Sequence, residues 1–191
     1  MISQAGRALR LGAALCAVLA VVGCASGVKR TPEHKTAVFK PSAEFPIGRI
    51  NVSATQEALD KIEAAKKKFN PELLKGSIMT ALSAQHLFAQ NGQGGLTMDV
   101  VVTRVRVRST FNAIMWGAMS GNDAVDGQVV VKDAVGKELD RFDVTASYAL
   151  GGFGGGQDAT RTGWLYDAFA KEVAGQYAPE AAHGSKNSGT K

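Results

Sequence analysis

Hydrophobic and polar positions follow a strand-like pattern in four stretches of the chain and a helix-like one in three others. Ile47 to Val52 is the first strand-like stretch, with Ile50 and Val52 on one face. Leu96 to Thr110 is the second, with Leu96, Met98, Val100 and Val102 facing one way. Arg104, Arg106 and Arg108 fall on that same parity. Either a bulge near Thr103 flips the phase, or the strand outruns the core and its arginine stripe meets solvent. Val125 to Lys132 and Leu139 to Leu150 read as a hairpin. Its turn is Asp133-Ala134-Val135-Gly136-Lys137, with Asp to initiate and Gly at the left-handed position. In the last strand Phe142, Val144, Ala146, Tyr148 and Leu150 alternate with Arg141, Asp143, Thr145 and Ser147, as in a sheet packed on one side.

The helical stretches differ in strength. Ser53 to Phe69 places Leu59, Ile62 and Phe69 at rough helical spacing and predicts a short amphipathic helix. Its run Lys66-Lys67-Lys68 reads first as a solvated face, with anionic lipid as the lesser reading. Asn70-Pro71-Glu72 is a full helix start: cap, proline at the first position, acid in the first turn. Leu74, Ile78, Ala81, Leu82, Gln85 and Ala89 extend one stripe toward a stop at Asn91-Gly92. Thr162 to Tyr177 is the last helix, with Leu165, Ala168, Phe169, Val173 and Gln176 inward and Trp164 at its entry. Pro179 to Lys191 is small and polar and reads as a disordered tail.

The order predicts an α+β fold: a two-layer domain over residues 45–178, with a four-stranded, mostly antiparallel sheet and two main helices on one face. If the first strand-helix-strand unit is a right-handed parallel crossover, the connections 54–70, 110–124 and 151–161 share one end of the sheet. Two of them are unusual. Residues 111–119 carry Phe111, Met115, Trp116 and Met119, and Phe153 sits among the five glycines of 151–156. Either 111–119 folds back over the open end of the sheet, or these residues form a tip that contacts a partner or membrane.

The N-terminus supplies an address. Arg7 and Arg10 precede an apolar run from Leu11 to Val22, followed by small residues, which is a secretory-signal layout. The run is shorter than the roughly 20 residues of a comfortable membrane span. Val21-Val22-Gly23-Cys24 resembles a bacterial lipobox. That resemblance implies removal of residues 1–23 and acylation of Cys24. Three acyl chains anchor durably, where one gives only marginal attachment. The residues after the Cys, Ala25 and Ser26, include no Asp, which by resemblance to known sorting rules implies an outer-membrane lipoprotein with its domain facing the periplasm. Residues 24–44 read as a flexible tether.

Composition changes the picture in two places. The 191-residue chain has a formal charge of +5, but the signal peptide takes Arg7 and Arg10 with it and leaves a modest +3. These charges are dispersed, so nucleic acid is not an expected partner. The second cysteine, Cys16, also lies in the removed segment, so the mature domain relies on an ordinary core without a disulfide.

Signatures of chemistry are weak. Gly151 to Gly156 precedes a helix, but Gln157-Asp158 follows where a phosphate loop needs Lys and Ser or Thr. His34, His86 and His183 are too scattered to hold a metal. Asp140 and Asp143 look like exposed rungs of a strand. No catalytic residue, cofactor or metal is expected. Arg104, Arg106 and Arg108 remain candidates for anion contact, with cross-strand pairing to acids such as Asp126 or Asp143 as the plainer reading.

The lipobox, the strand-helix-strand unit, the stretch Gly127 to Leu139, the glycine-rich 151–156 segment and a final helix together resemble bacterial lipoproteins of the domain-of-unknown-function 4410 family. The resemblance spans roughly residues 45–178. It implies an envelope lipoprotein without an established activity and supplies no site residues. The expectation is a non-enzymatic protein that is held to the membrane at Cys24 and binds an envelope protein or itself through Phe111, Met115, Trp116, Met119 and Phe153. A membrane-inserting homo-oligomer and a small-molecule or glycan carrier are the alternatives.

Overall fold

The first strand of the sheet comes from a segment with no strand period of its own. β1 is Gly27–Lys29, and it pairs antiparallel with β5, Glu138–Tyr148. Between them in sequence come β2 (Ile47–Ala54), β3 (Leu96–Arg106) and β4 (Asp123–Lys132). The computed structural model describes residues 26–31, 39–90, 92–108, 122–148 and 158–178. The expected signal peptide and tail, Cys24, and the candidates Phe111, Met115, Trp116, Met119 and Phe153 lie outside these residues.

The sheet is therefore five-stranded and mixed, in the order β1-β5-β4-β3-β2, and not four-stranded. The added strand falls inside the span expected as tether. Its partner Val144 is far away in sequence, and three residues are too few to carry a hydrophobic period. β2 and β3 run parallel, as the crossover reading requires, and the remaining pairs are antiparallel.

Three helices accompany the sheet, the short one expected within 53–69 and the two main ones. α1 (Gln56–Ala64) is capped by the Thr55 hydroxyl, which accepts from the Ala58 amide at 3.2 Å. α2 (Pro71–Ser83) is capped by Asn70, whose side-chain oxygen accepts from the Leu73 amide at 3.1 Å. α3 is Asp158–Gly175 and starts about one turn before the predicted Thr162. α2 and α3 pack on each other, and Ser77 donates to Asp167 across their seam at 2.8 Å.

α2 also ends early. The apolar stripe runs on toward Ala89, but His86 adopts φ +59°. The amides of His86 and Leu87 then bond to the carbonyls of Ser83 and Leu82 at 3.0 and 2.9 Å. That is a left-handed helix stop. It turns Leu87 into the core and sets Phe88 beside Ile47.

One core lies between the helices and the inner face of the sheet. Met98, Val100, Val129, Phe142 and Ala146 meet Leu74, Ile78, Leu165 and Phe169, all essentially inaccessible to water. The register of β3 against β4 shifts between Val102 and Arg104, so the bulge reading of this strand holds. The phase flips there: Val105 comes opposite buried Val125, and Arg104 comes opposite Asp126.

Candidate functional site

Strand directions bring many ends together. The C-terminal ends of β2, β3 and β5 and the N-terminal ends of β1 and β4 share one end of the sheet. α3 begins there as well, since Arg161 in its first turn reaches Arg108. The segments 109–121 and 149–157, which carry the expected contact residues, leave and return at this end. The tight turn at 133–137 is at the other, with Asp133 accepting from the amides of Val135 and Lys137 at 3.0 and 2.8 Å and Gly136 at φ +86°.

The start of β1 is stitched to this same end. The Ser147 amide donates to the Ser26 hydroxyl at 3.0 Å, and that hydroxyl donates to the Ser147 carbonyl at 3.3 Å. At the far end of β1 the chain is fastened again. The Arg30 guanidinium meets the Asp140 carboxylate with both terminal nitrogens, one contact at 3.0 Å, and stacks 4.9 Å over the Phe142 ring. Tyr177, at the end of α3, donates to the same carboxylate at 3.0 Å.

Asp140 is thus buried and not an exposed rung. It has the parity of Phe142, Val144 and Ala146, so its side chain points inward, and burial is tolerable because it is paired. Burial pushes the Tyr177 hydroxyl well above the ordinary phenol range, and the neighbouring Asp140 charge adds to the shift. Arg30 is held above its usual value, chiefly by its hydrogen bond to Asp140.

The predicted arginine stripe divides. Arg104 pairs with Asp126 at 2.6 Å on the open face of the sheet. Arg106 follows it on β3, opposite Ala124. Arg108 is buried, and its backbone and side chain both donate to Asp123, at 2.8 and 3.1 Å. Arg161 joins them, with its guanidinium donating to the Arg108 carbonyl at 2.7 Å and lying 3.4 Å from Asp123. Sequence reading missed Arg161, although the signal was present: it stands four residues before Leu165 and eight before Phe169, on the inner stripe of α3.

A cavity of about 490 Å³ opens beside this end of the sheet. Leu73, Val107, Ala159 and Tyr166 form much of its wall, and Lys66, Lys67 and Lys68 stand on one side. Burial raises the Tyr166 hydroxyl above its usual range, partly offset by the Asn70 amide, which donates to it at 3.2 Å. Among the described residues no group of three or more His, Cys, Asp or Glu could hold a metal ion, and no helix is long and apolar enough to cross a membrane.

Residues 43–152, more than half of the chain, match the model of a family described as a domain of unknown function, DUF4410. The chain belongs to this family. The DUF4410 match holds Asp140, Arg108 and Asp123, but Arg30, Arg161 and Tyr177 lie outside it. Both buried charged clusters are therefore completed by flanking residues, so β1 and α3 are integral to the folded unit around the DUF4410 span. No curated protein matches the chain. Among solved structures, the PelC dodecamer from Paraburkholderia phytofirmans is 11% identical over 81% of this chain and 99% of its own, with a TM-score of 0.47. A point variant of that PelC is 12% identical over the same shares, at 0.46. Protein XCC0632 from Xanthomonas campestris, of the DUF330 family model, is 10% identical over 74% of this chain and 88% of its own, at 0.38. Likeness at these scores carries no functional argument.

Proposed function

We propose that this DUF4410 protein is a non-enzymatic outer-membrane lipoprotein, anchored at Cys24 with its domain in the periplasm, that serves as an interaction component of an envelope complex. The observation that carries this reading is the pair of hydrogen bonds between Ser26 and Ser147. Ser26 is only two residues beyond Cys24, and an extended chain spans at most about 7 Å over that distance. An acyl anchor at Cys24 would hold the Ser147 end of the sheet close to the lipid surface, with no long tether between them. The aromatic- and methionine-bearing segments 109–121 and 149–157 leave from that same end, where a neighbouring envelope protein could reach Phe111, Met115, Trp116, Met119 and Phe153.

Photo-crosslinking in cells from a probe at position 116 tests the partner half of this reading. The expected result is a discrete band heavier than the protein, whose mass separates a second copy from a different protein. Labelling of lipid alone would overturn the partner reading in favour of membrane insertion.

A further inference from the structure

The lysines between α1 and α2 sit in an arrangement that their role as a turn does not require. α1 ends in a left-handed stop: the Lys66 amide bonds to the Glu63 carbonyl at 2.8 Å and the Lys67 amide to the Ile62 carbonyl at 3.0 Å. Glycine is the residue that suits the positive φ of this stop. Here the position is occupied by Lys66, at φ +52°. The stop directs three consecutive lysines to the edge of the cavity described above. A long side chain stands where the backbone favours none.

The cavity has the chemistry of an amphiphile site. Its wall is mainly apolar, through Leu73, Val107, Ala159 and Tyr166, and among the described residues no Asp or Glu lines it. Its volume of about 490 Å³ falls within the usual range for small-molecule clefts. Leu73 is 61% exposed, a large apolar residue left open to solvent at this wall. Lysines carry their apolar stems along such a surface and hold their charge at its edge. The same three lysines also border a shallower depression lined by Leu59, Ile62 and Phe69, where Glu63 is the one acid.

We infer that this cavity binds an anionic phospholipid of the membrane to which the protein is anchored, with the phosphate at Lys66 and Lys68 and an acyl chain along Leu73, Val107 and Tyr166. The inference rests on the anchor at Cys24 proposed above, because that anchor brings this end of the domain to the lipid. Charge complementarity selects an anionic headgroup over a zwitterionic one.

Native mass spectrometry of the detergent-extracted, full-length protein, titrated with phosphatidylglycerol or phosphatidylcholine, separates the two claims. Covalent acyl mass on Cys24 reports the anchor; reversible lipid adducts report the cavity. The expected result is saturable phosphatidylglycerol binding, preferred over phosphatidylcholine, and weakened by about 30-fold in the double variant Lys66→Gly, Lys68→Ser. Lys66→Gly relieves a strained backbone and Lys68 is exposed, so the urea midpoint of the double variant should not fall, and lost binding would not reflect unfolding. Leu73→Asp, at an exposed position, should abolish the adduct while the fold remains. Equal binding of the two lipids, or adducts unchanged in these variants, would overturn the inference even if Cys24 is acylated.

Discussion

Arg30 closes on Asp140 across 110 positions of sequence, and the contact joins a segment that reads as linker to the interior of the sheet. The Asp140 side chain has no exposure to solvent and Arg30 only 16%. Removing one member of a buried pair leaves the other charge uncompensated, at a cost of about 3–5 kcal/mol. Tyr177 and the Arg141 amide still serve Asp140 when Arg30 is gone, so Arg30→Ala should fall at the low end, about 3 kcal/mol. Urea denaturation of the variant checks this. A loss within experimental error would mean that β1 is a loose strap.

The second buried cluster gives a matching prediction. Asp123 faces both Arg108 and Arg161 with no solvent exposure. Asp123→Ala should destabilise the fold by about 3 kcal/mol or more, read by the same denaturation.

Tyr177 makes stability depend on alkaline pH. Its hydroxyl pKa in the fold lies above the unfolded value of about 10. The folded chain therefore holds this proton more tightly. The stabilisation is complete below pH 10 and is lost progressively as pH rises from there toward the folded pKa. Unfolding free energies measured from pH 9 to 11 should fall above pH 10 in the native protein, and less steeply in Tyr177→Phe.

Two glycines fix the approach to the parallel strand pair. A Cβ on Gly48 would lie 2.2 Å from the Gly94 carbonyl oxygen, and one on Gly94 would lie 2.5 Å from the Gly48 nitrogen. Both obstacles are backbone and cannot swing aside. Gly94→Ala should cost about 1–3 kcal/mol, measured as a lowered Tm.

His86 offers the opposite sign. It is exposed and strained at φ +59°. Glycine relieves that strain but adds freedom to the unfolded chain. His86→Gly should therefore gain about 1 kcal/mol, visible as a raised urea midpoint.

These residues also mark where sequence reading stops. Local rules place the hairpin turn at Asp133 and Gly136 and the cap at Asn70, because each depends on neighbours within a few positions; the phase flip near Thr103 is one of two local readings, and only the register against β4 decides it. β1 escapes because its strand character comes wholly from Val144 and its neighbours, distant in sequence. Asp140 extends the inward parity of Phe142 and Val144 by one step, and Arg161 stands one residue before the predicted helix, in line with Leu165 and Phe169. Asp140 reads as an exposed rung because a charged side chain is expected at the surface until its buried partner is known. His86 ends α2 by a backbone conformation that its side chain does not announce.

Cys24 is the proposed anchor, two residues before the stitch between Ser26 and Ser147. Intact-mass and peptide mass spectrometry of the protein purified from membranes tests it most directly. The predicted N-terminus is Cys24 carrying three acyl chains, with residues 1–23 absent. An unmodified Cys24, or an N-terminus elsewhere without lipid, would contradict it.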